Sequence, residues 1–141
     1  MNYIKKTFRK IDTAQEIFFA NKSIEAKINF LKCITYNSLP NKLRRNKLNF
    51  FPISTTIYVN TICNYRCEFC FLINDDHKGS KTFNLDIEGF NKLIAHDFMK
   101  YSGRITLGGG EPLLNKNLYE FIKILRKQKK VISIYSNGSL L

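Results

Sequence analysis

Ser54-Thr55-Thr56-Ile57-Tyr58-Val59-Asn60-Thr61, followed one residue later by Cys63-Asn64-Tyr65-Arg66-Cys67-Glu68-Phe69-Cys70-Phe71, sets the architecture of this chain. The first run is rich in β-branched and aromatic residues and alternates. Ile57 and Val59 point one way, Thr56 and Tyr58 the other, which reads as a strand. The strand delivers Cys63 at its C-terminal end, where parallel α/β folds place their sites. Three thiols then fall within eight positions, spaced C-x3-C-x2-C. A loop wrapped around the target can aim residues so spaced at one small target. Room for three thiolates points to a metal or a metal cluster. Cysteine is the usual ligand of iron–sulfur clusters, each iron taking one protein thiolate. Three cysteines on a four-iron cluster leave one iron open to another molecule.

Outward from this stretch the elements alternate. Asn74 to Ser80 is a polar loop, and Asn84 or Asp86 opens a helix with Ile87, Phe90, Leu93, Ile94 and Phe98 on one face. Gly89 costs that helix about 1 kcal/mol relative to alanine, for no reason visible in the sequence. Ile105 to Leu107 is a second strand ending at Gly108, and the turn Gly109-Gly110-Glu111-Pro112 follows. Leu118, Phe121, Ile122 and Leu125 mark a second helix, whose cationic end, Arg126 to Lys130, suits the negative pole of a helix C-terminus. Val131 to Tyr135 is a third strand, closed by Ser136-Asn137-Gly138. The order β-α-β-α-β predicts parallel neighbours with right-handed crossover helices.

Residues 1–51 read as a helical, basic extension ahead of a second unit at 52–141. Asp12 or Thr13 caps a segment with Ile17, Phe18, Ile24, Ile28 and Leu31 at near-helical spacing, broken near Asn21 to Ser23. Ser38 to Asn41 is a turn, and Lys42 to Lys47 is a basic run. Cys33 stands alone, 30 residues before Cys63. It reads as a small buried hydrophobe, with a fourth cluster ligand as the alternative, and a fourth ligand would close the open iron.

The 141 residues fit one domain, and a 44% hydrophobic fraction supports a core. No apolar run approaches the ~20 residues that span a bilayer, and the N-terminus lacks the apolar region of a signal peptide. A cytoplasmic, reducing compartment is the expectation, in which four cysteines are metal ligands before they are disulfides. The formal charge is +12, concentrated in residues 1–50, which hold 11 Lys and Arg against 3 Asp and Glu. Such a balance describes a solvated surface, and it also leaves nucleic acid as a partner that is not favoured.

The pair of motifs resembles the radical S-adenosylmethionine (radical SAM) enzymes, over roughly Pro52 to Leu141. C-x3-C-x-aromatic-C behind a strand, with Phe69 as the aromatic, precedes Gly109-Gly110-Glu111-Pro112 behind a second strand. The resemblance implies a partial (β/α) barrel of six βα units, of which about three are present. The chain then reads as a fragment, as the product of a truncated gene, or as one part that needs a partner. It implies that Cys63, Cys67 and Cys70 hold a 4Fe–4S cluster whose fourth iron chelates S-adenosylmethionine. One electron would then cleave the sulfonium to a 5′-deoxyadenosyl radical, which abstracts hydrogen from the substrate. By the same resemblance Phe69 lies beside the adenine, with core packing as its plainer role. Gly109, Gly110, Glu111 and Pro112 receive the methionine end, through carbonyl acceptors for the ammonium. Asn137 lies in a turn that resembles the family's Thr-Asn-Gly and supports cofactor binding, or is only a turn. Gly108 departs from the Thr or Ser often found there, which would loosen the turn. An electron donor of the flavodoxin or ferredoxin type is implied. The substrate is unreadable, a peptide being one candidate by analogy with members that carry helices before the first strand.

Two other functions fit parts of the pattern. Cys63, Cys67, Cys70 and His77 suit a Cys3His zinc site in a nucleic-acid interaction module. A cluster-holding but inactive fragment is the other.

Overall fold

The computed structural model describes residues 14–19, 23–40, 43, 48–70, 72 and 82–141. Asp12, Thr13, His77, the Asn74–Ser80 loop and all of the basic run except Leu43 lie outside them. A short helix, α1 (residues 14–19), precedes α2 (Ile24–Ser38). Then come β1 (Ser54–Tyr58), α3 (Ile87–Ile94), β2 (Arg104–Gly108), α4 (Leu118–Lys127) and β3 (Val131–Ile134). Single 3-10 turns at Asp97–Lys100 and Pro112–Leu114 lead into and out of β2.

The three strands form one parallel sheet in the order β1-β2-β3, as the alternation of elements predicts. Tyr58 pairs with Gly108, and Leu107 with Ile134, so the three carboxyl ends lie side by side. Ile57 and Val59 of the first strand and its extension, with Ile105 and Leu107, turn one face of the sheet toward α3 and α4. There Phe90 and Phe121 stack at 4.2 Å, and Leu118 and Leu125 complete the cluster. Burial of such side chains, at about 25 cal/mol per Å² of apolar surface, holds the helices on the sheet. This is the α/β architecture of a partial (β/α) barrel: an open parallel sheet with crossover helices, preceded by helices.

Asp86 is the N-cap of α3, its carboxylate accepting from the Gly89 amide at 2.7 Å. The cap explains Gly89. A Cβ there would lie 3.1 Å from both Asp86 Oδ1 and Leu85 Cδ1, so the small residue lets the capping carboxylate fold in. Helix α3 ends at Ile94, and Phe98 belongs to the separate 3-10 turn, half-buried against the same core.

Helix α2 buries the side opposite Ile24, Ile28 and Leu31. Ile24, Ile28 and Leu31 are exposed, while Ala26, Asn29, Phe30 and Cys33 are buried. The helix carries apolar residues on two opposite sides, so periodicity does not say which is covered. The choice is made by Asn29, whose amide donates to the Phe51 carbonyl at 3.0 Å and accepts from the Phe51 amide at 2.7 Å. That pairing presses the Asn29 side against the chain entering β1, where Phe51 stacks on Tyr101 at 4.7 Å. Cys33 follows its plainer reading. It is buried, burial pushes its thiol pKa up, and the Asn37 amide at 3.5 Å opposes that shift.

Candidate functional site at the strand ends

The three clustered cysteines, Phe69, the Gly109-Gly110-Glu111-Pro112 turn and Asn137 all follow the carboxyl ends of the three strands. Past β1 the backbone continues to Asn60, and the returning chain closes on it. Leu85 donates to the Val59 carbonyl at 2.8 Å and Thr61 to the Phe83 carbonyl at 3.1 Å, with an antiparallel bridge between Asn60 and Asn84. Asn115, buried ahead of α4, ties this stem from below by donating to the Val59 and Leu85 carbonyls at 2.8 and 3.0 Å. The cysteines hang in the loop that the stem closes.

Cys63, Cys67 and Cys70 are free thiols and half-buried. The Cys63 sulfur accepts from the Tyr65 amide at 3.4 Å and faces the Asn137 side-chain amide at 3.9 Å. The Cys70 amide donates to the Cys67 carbonyl at 3.0 Å, a tight turn carrying the second and third thiols. Among the described residues, no three His, Cys, Asp or Glu side chains converge as a single metal ion requires. A four-iron cube makes a different demand, since each thiolate holds its own iron. Soft sulfur donors with N–H groups already on one of them suit such a cube. Phe69 is 89% exposed, so it does not pack in the core and its ring is free to meet a ligand.

The turn after β2 is built against the root of the cysteine loop. Gly110 donates to the Asn60 carbonyl at 3.1 Å and Glu111 to the Ile62 carbonyl at 2.7 Å. Gly109 has φ +145°, a region that side chains avoid, and a Cβ there would lie 2.7 Å from Asn60 Oδ1. A Cβ on Gly110 would meet the Ile62 carbonyl group, its carbon at 2.5 Å. The paired glycines therefore let two backbones touch. Gly108, by contrast, closes β2 with ordinary room for a side chain, its nearest neighbour being Tyr58 at 3.6 Å.

Glu111 is fully buried, and its two carboxylate oxygens have separate duties. Oε1 accepts from the Leu113 amide at 3.0 Å, capping the 3-10 turn that Pro112 begins. Oε2 accepts from the Asn137 amide at 2.8 Å, tying the end of β3 to the turn after β2. Its carbonyl takes the Asn60 side-chain amide at 2.9 Å. The Asn60 Oδ1 has no hydrogen-bond partner among the described residues and faces the Gly109 Cα, a weak C–H contact at most.

Asn137 stands at the third strand end in a closed ring of polar side chains. Its amide donates to Asn64 Oδ1 at 2.9 Å, Asn64 donates to Ser139 Oγ at 2.8 Å, and Ser139 donates back to Asn137 Oδ1 at 2.7 Å. Gly138, with φ +78°, makes the turn between the two partners. The sequence marked Asn137 but not Asn60, Asn64, Asn115 or Ser139. Strand alternation makes Asn60 an ordinary outward residue, and the other three look like turn residues. Their only sequence signal is a run of Asn and Ser at strand ends.

The family model for the Radical SAM superfamily matches residues 57–141. A protein named "Probable GTP 3',8-cyclase" from Thermoplasma volcanium is 37% identical over 90 residues, covering 63% of this chain and 27% of the relative. The S-adenosylmethionine-dependent nucleotide dehydratase RSAD2 of Siniperca chuatsi is 34% identical over 98 residues, covering 64% and 25%. The S-adenosylmethionine-dependent nucleotide dehydratase of Selenomonas ruminantium is 31% identical over 88 residues, covering 60% and 30%. The chain thus spans under a third of the length of these relatives, and no solved structure gives a significant match. The superfamily's cofactors are a 4Fe–4S cluster and S-adenosylmethionine, and the thiol set beyond β1 fits the first of them. With its parallel sheet, its cysteine loop and a family match over most of its length, this chain belongs to the radical SAM superfamily.

Proposed function

We propose that Cys63, Cys67 and Cys70 hold a 4Fe–4S cluster with one iron free of protein, and that S-adenosylmethionine binds beside it. One observation carries this reading. Motifs far apart in sequence meet where the Gly110 and Glu111 amides grip the root of the cysteine loop and Glu111 grips Asn137. When bound, the pair supplies one-electron cleavage of the sulfonium to a carbon radical for hydrogen abstraction. The chain's own residues do the holding. The cysteine thiolates set the charge around the metal. The Phe69 ring offers the adenine a face or an edge. The carbonyls of Gly109 and Gly110 are acceptors for the ammonium group. Glu111 and Pro112 fix the turn that presents them, and Asn137 fixes the neighbouring strand end.

A reducing cytoplasm keeps such thiols free, and a flavodoxin- or ferredoxin-type protein is the matching electron donor. No helix among the described residues is long and apolar enough to cross a membrane. For the substrate, similarity to a GTP cyclase and to nucleotide dehydratases favours a nucleotide over a peptide. Anaerobic reconstitution with iron and sulfide tests the cluster. We expect a brown chain with about four irons, the content of one cluster. With dithionite and S-adenosylmethionine, we expect 5′-deoxyadenosine. Colourless uptake of one zinc without iron would support the Cys3His module instead. Brown chain without 5′-deoxyadenosine would support the inactive fragment.

A further inference from the structure

Among the described residues, the three sulfurs are not equally served. Cys63 has two N–H groups near its sulfur, from the Tyr65 backbone at 3.4 Å and the Asn137 side chain at 3.9 Å. Cys67 and Cys70 have none among the described residues. The Asn137 amide is also held in place. One of its two hydrogens goes to Asn64 Oδ1 at 2.9 Å, which leaves the other for the sulfur. Its oxygen is fixed by the Ser139 amide at 2.9 Å and the Ser139 hydroxyl at 2.7 Å, and its backbone amide by buried Glu111 at 2.8 Å.

We infer that Asn137 is a positioning residue acting through Cys63: its amide donates to this one thiolate and raises the reduction potential of the cluster. An N–H directed at a cluster sulfur withdraws negative charge and so favours the reduced, more negative state. Asn64 and Ser139 keep that donor aimed. Because Asn137 belongs to the end of β3 and Cys63 to the loop after β1, the arrangement makes the potential depend on how the two strand ends sit together. The inference rests on the cluster assignment proposed above.

The test uses the reconstituted chain and the fraction of cluster reduced at fixed potentials, read by electron paramagnetic resonance. Asn137→Ala removes the donor. Asn137→Asp keeps an acceptor for Ser139 but offers the sulfur only a negative oxygen. In both, the reduction equilibrium is expected to fall by about three- to tenfold, tenfold being about 59 mV for one electron, with the larger fall in Asn137→Asp. Ser139→Ala, which frees the amide without removing it, is expected to give a smaller fall in the same direction. Should Asn137→Ala fail to take up iron, Asn137→Asp and Ser139→Ala decide the matter. Variants that load four irons and keep the parent potential would overturn the inference and leave the cluster assignment standing. A parent chain that takes up no iron would overturn both.

Discussion

The loops that follow β1 and β2 lie against each other and are built in opposite ways. Beyond β2, the turn is finished by the protein alone. Glu111 and Pro112 are buried, the glycines are packed against a neighbouring backbone, and both carboxylate oxygens have N–H partners. Beyond β1, the loop exposes Tyr65 and Phe69 and leaves its thiols half-buried, with one internal backbone bond among its described residues, from the Cys70 amide to the Cys67 carbonyl. Among its described residues such a loop has few buried contacts that would fix it, and the proposed cluster would supply what is missing. On the proposed cluster assignment, one loop is a rigid wall and the other a holder that its metal would complete. Substitutions in the first should cost stability, and substitutions in the second should cost binding.

The largest effect should come from Gly110→Ala. Its methyl would collide with the Ile62 carbonyl group, where only backbone could move. We expect a loss of about 3 kcal/mol in urea unfolding of the metal-free chain. A loss below about 0.5 kcal/mol would show that the wall is softer than drawn. Next is Glu111→Gln, which sets an NH2 against one of two backbone N–H groups. A loss of about 1–3 kcal/mol is expected by the same measurement, the cost of an unmet buried donor. Cys67→Ala reverses the pattern. Unfolding of the metal-free chain should change by no more than about 0.5 kcal/mol, while iron uptake and brown colour on reconstitution disappear. A large stability loss there would erase the contrast between the loops. The smallest stability effect belongs to Phe69→Ala, at an 89% exposed residue. The cluster should load normally, and S-adenosylmethionine should bind up to about tenfold more weakly in equilibrium dialysis. Unchanged binding would remove Phe69 from the site.

Much of this organisation is legible along the chain because it is encoded locally. The three cysteines lie within eight positions, close enough for one short segment to carry them all. The alternation at Ile57 and Val59 matches the buried face of β1, and the helical spacing of Leu118, Phe121 and Leu125 matches the buried face of α4. Helix α2 marks where local reading fails. Ile24, Ile28 and Leu31 form as good a stripe as Ala26, Phe30 and Cys33, and only the pairing of Asn29 with Phe51 selects between them. Gly89 shows the same limit on a smaller scale, since its reason is the position of the Asp86 carboxylate.

By itself, then, the sequence determined the thiol set, the glycine turn and the order of strands and helices. Each of these follows from residue chemistry at short spacing. Only the tertiary structure decided that Glu111 is a buried tie between two strand ends. Only it showed that Asn60 and Asn115 fasten the stem of the cysteine loop, and that Asn137 faces one particular sulfur. These are hydrogen bonds between residues 26 to 74 positions apart. A hydrogen bond of that kind depends on directions set by the folded sheet, and no periodicity in the chain records it.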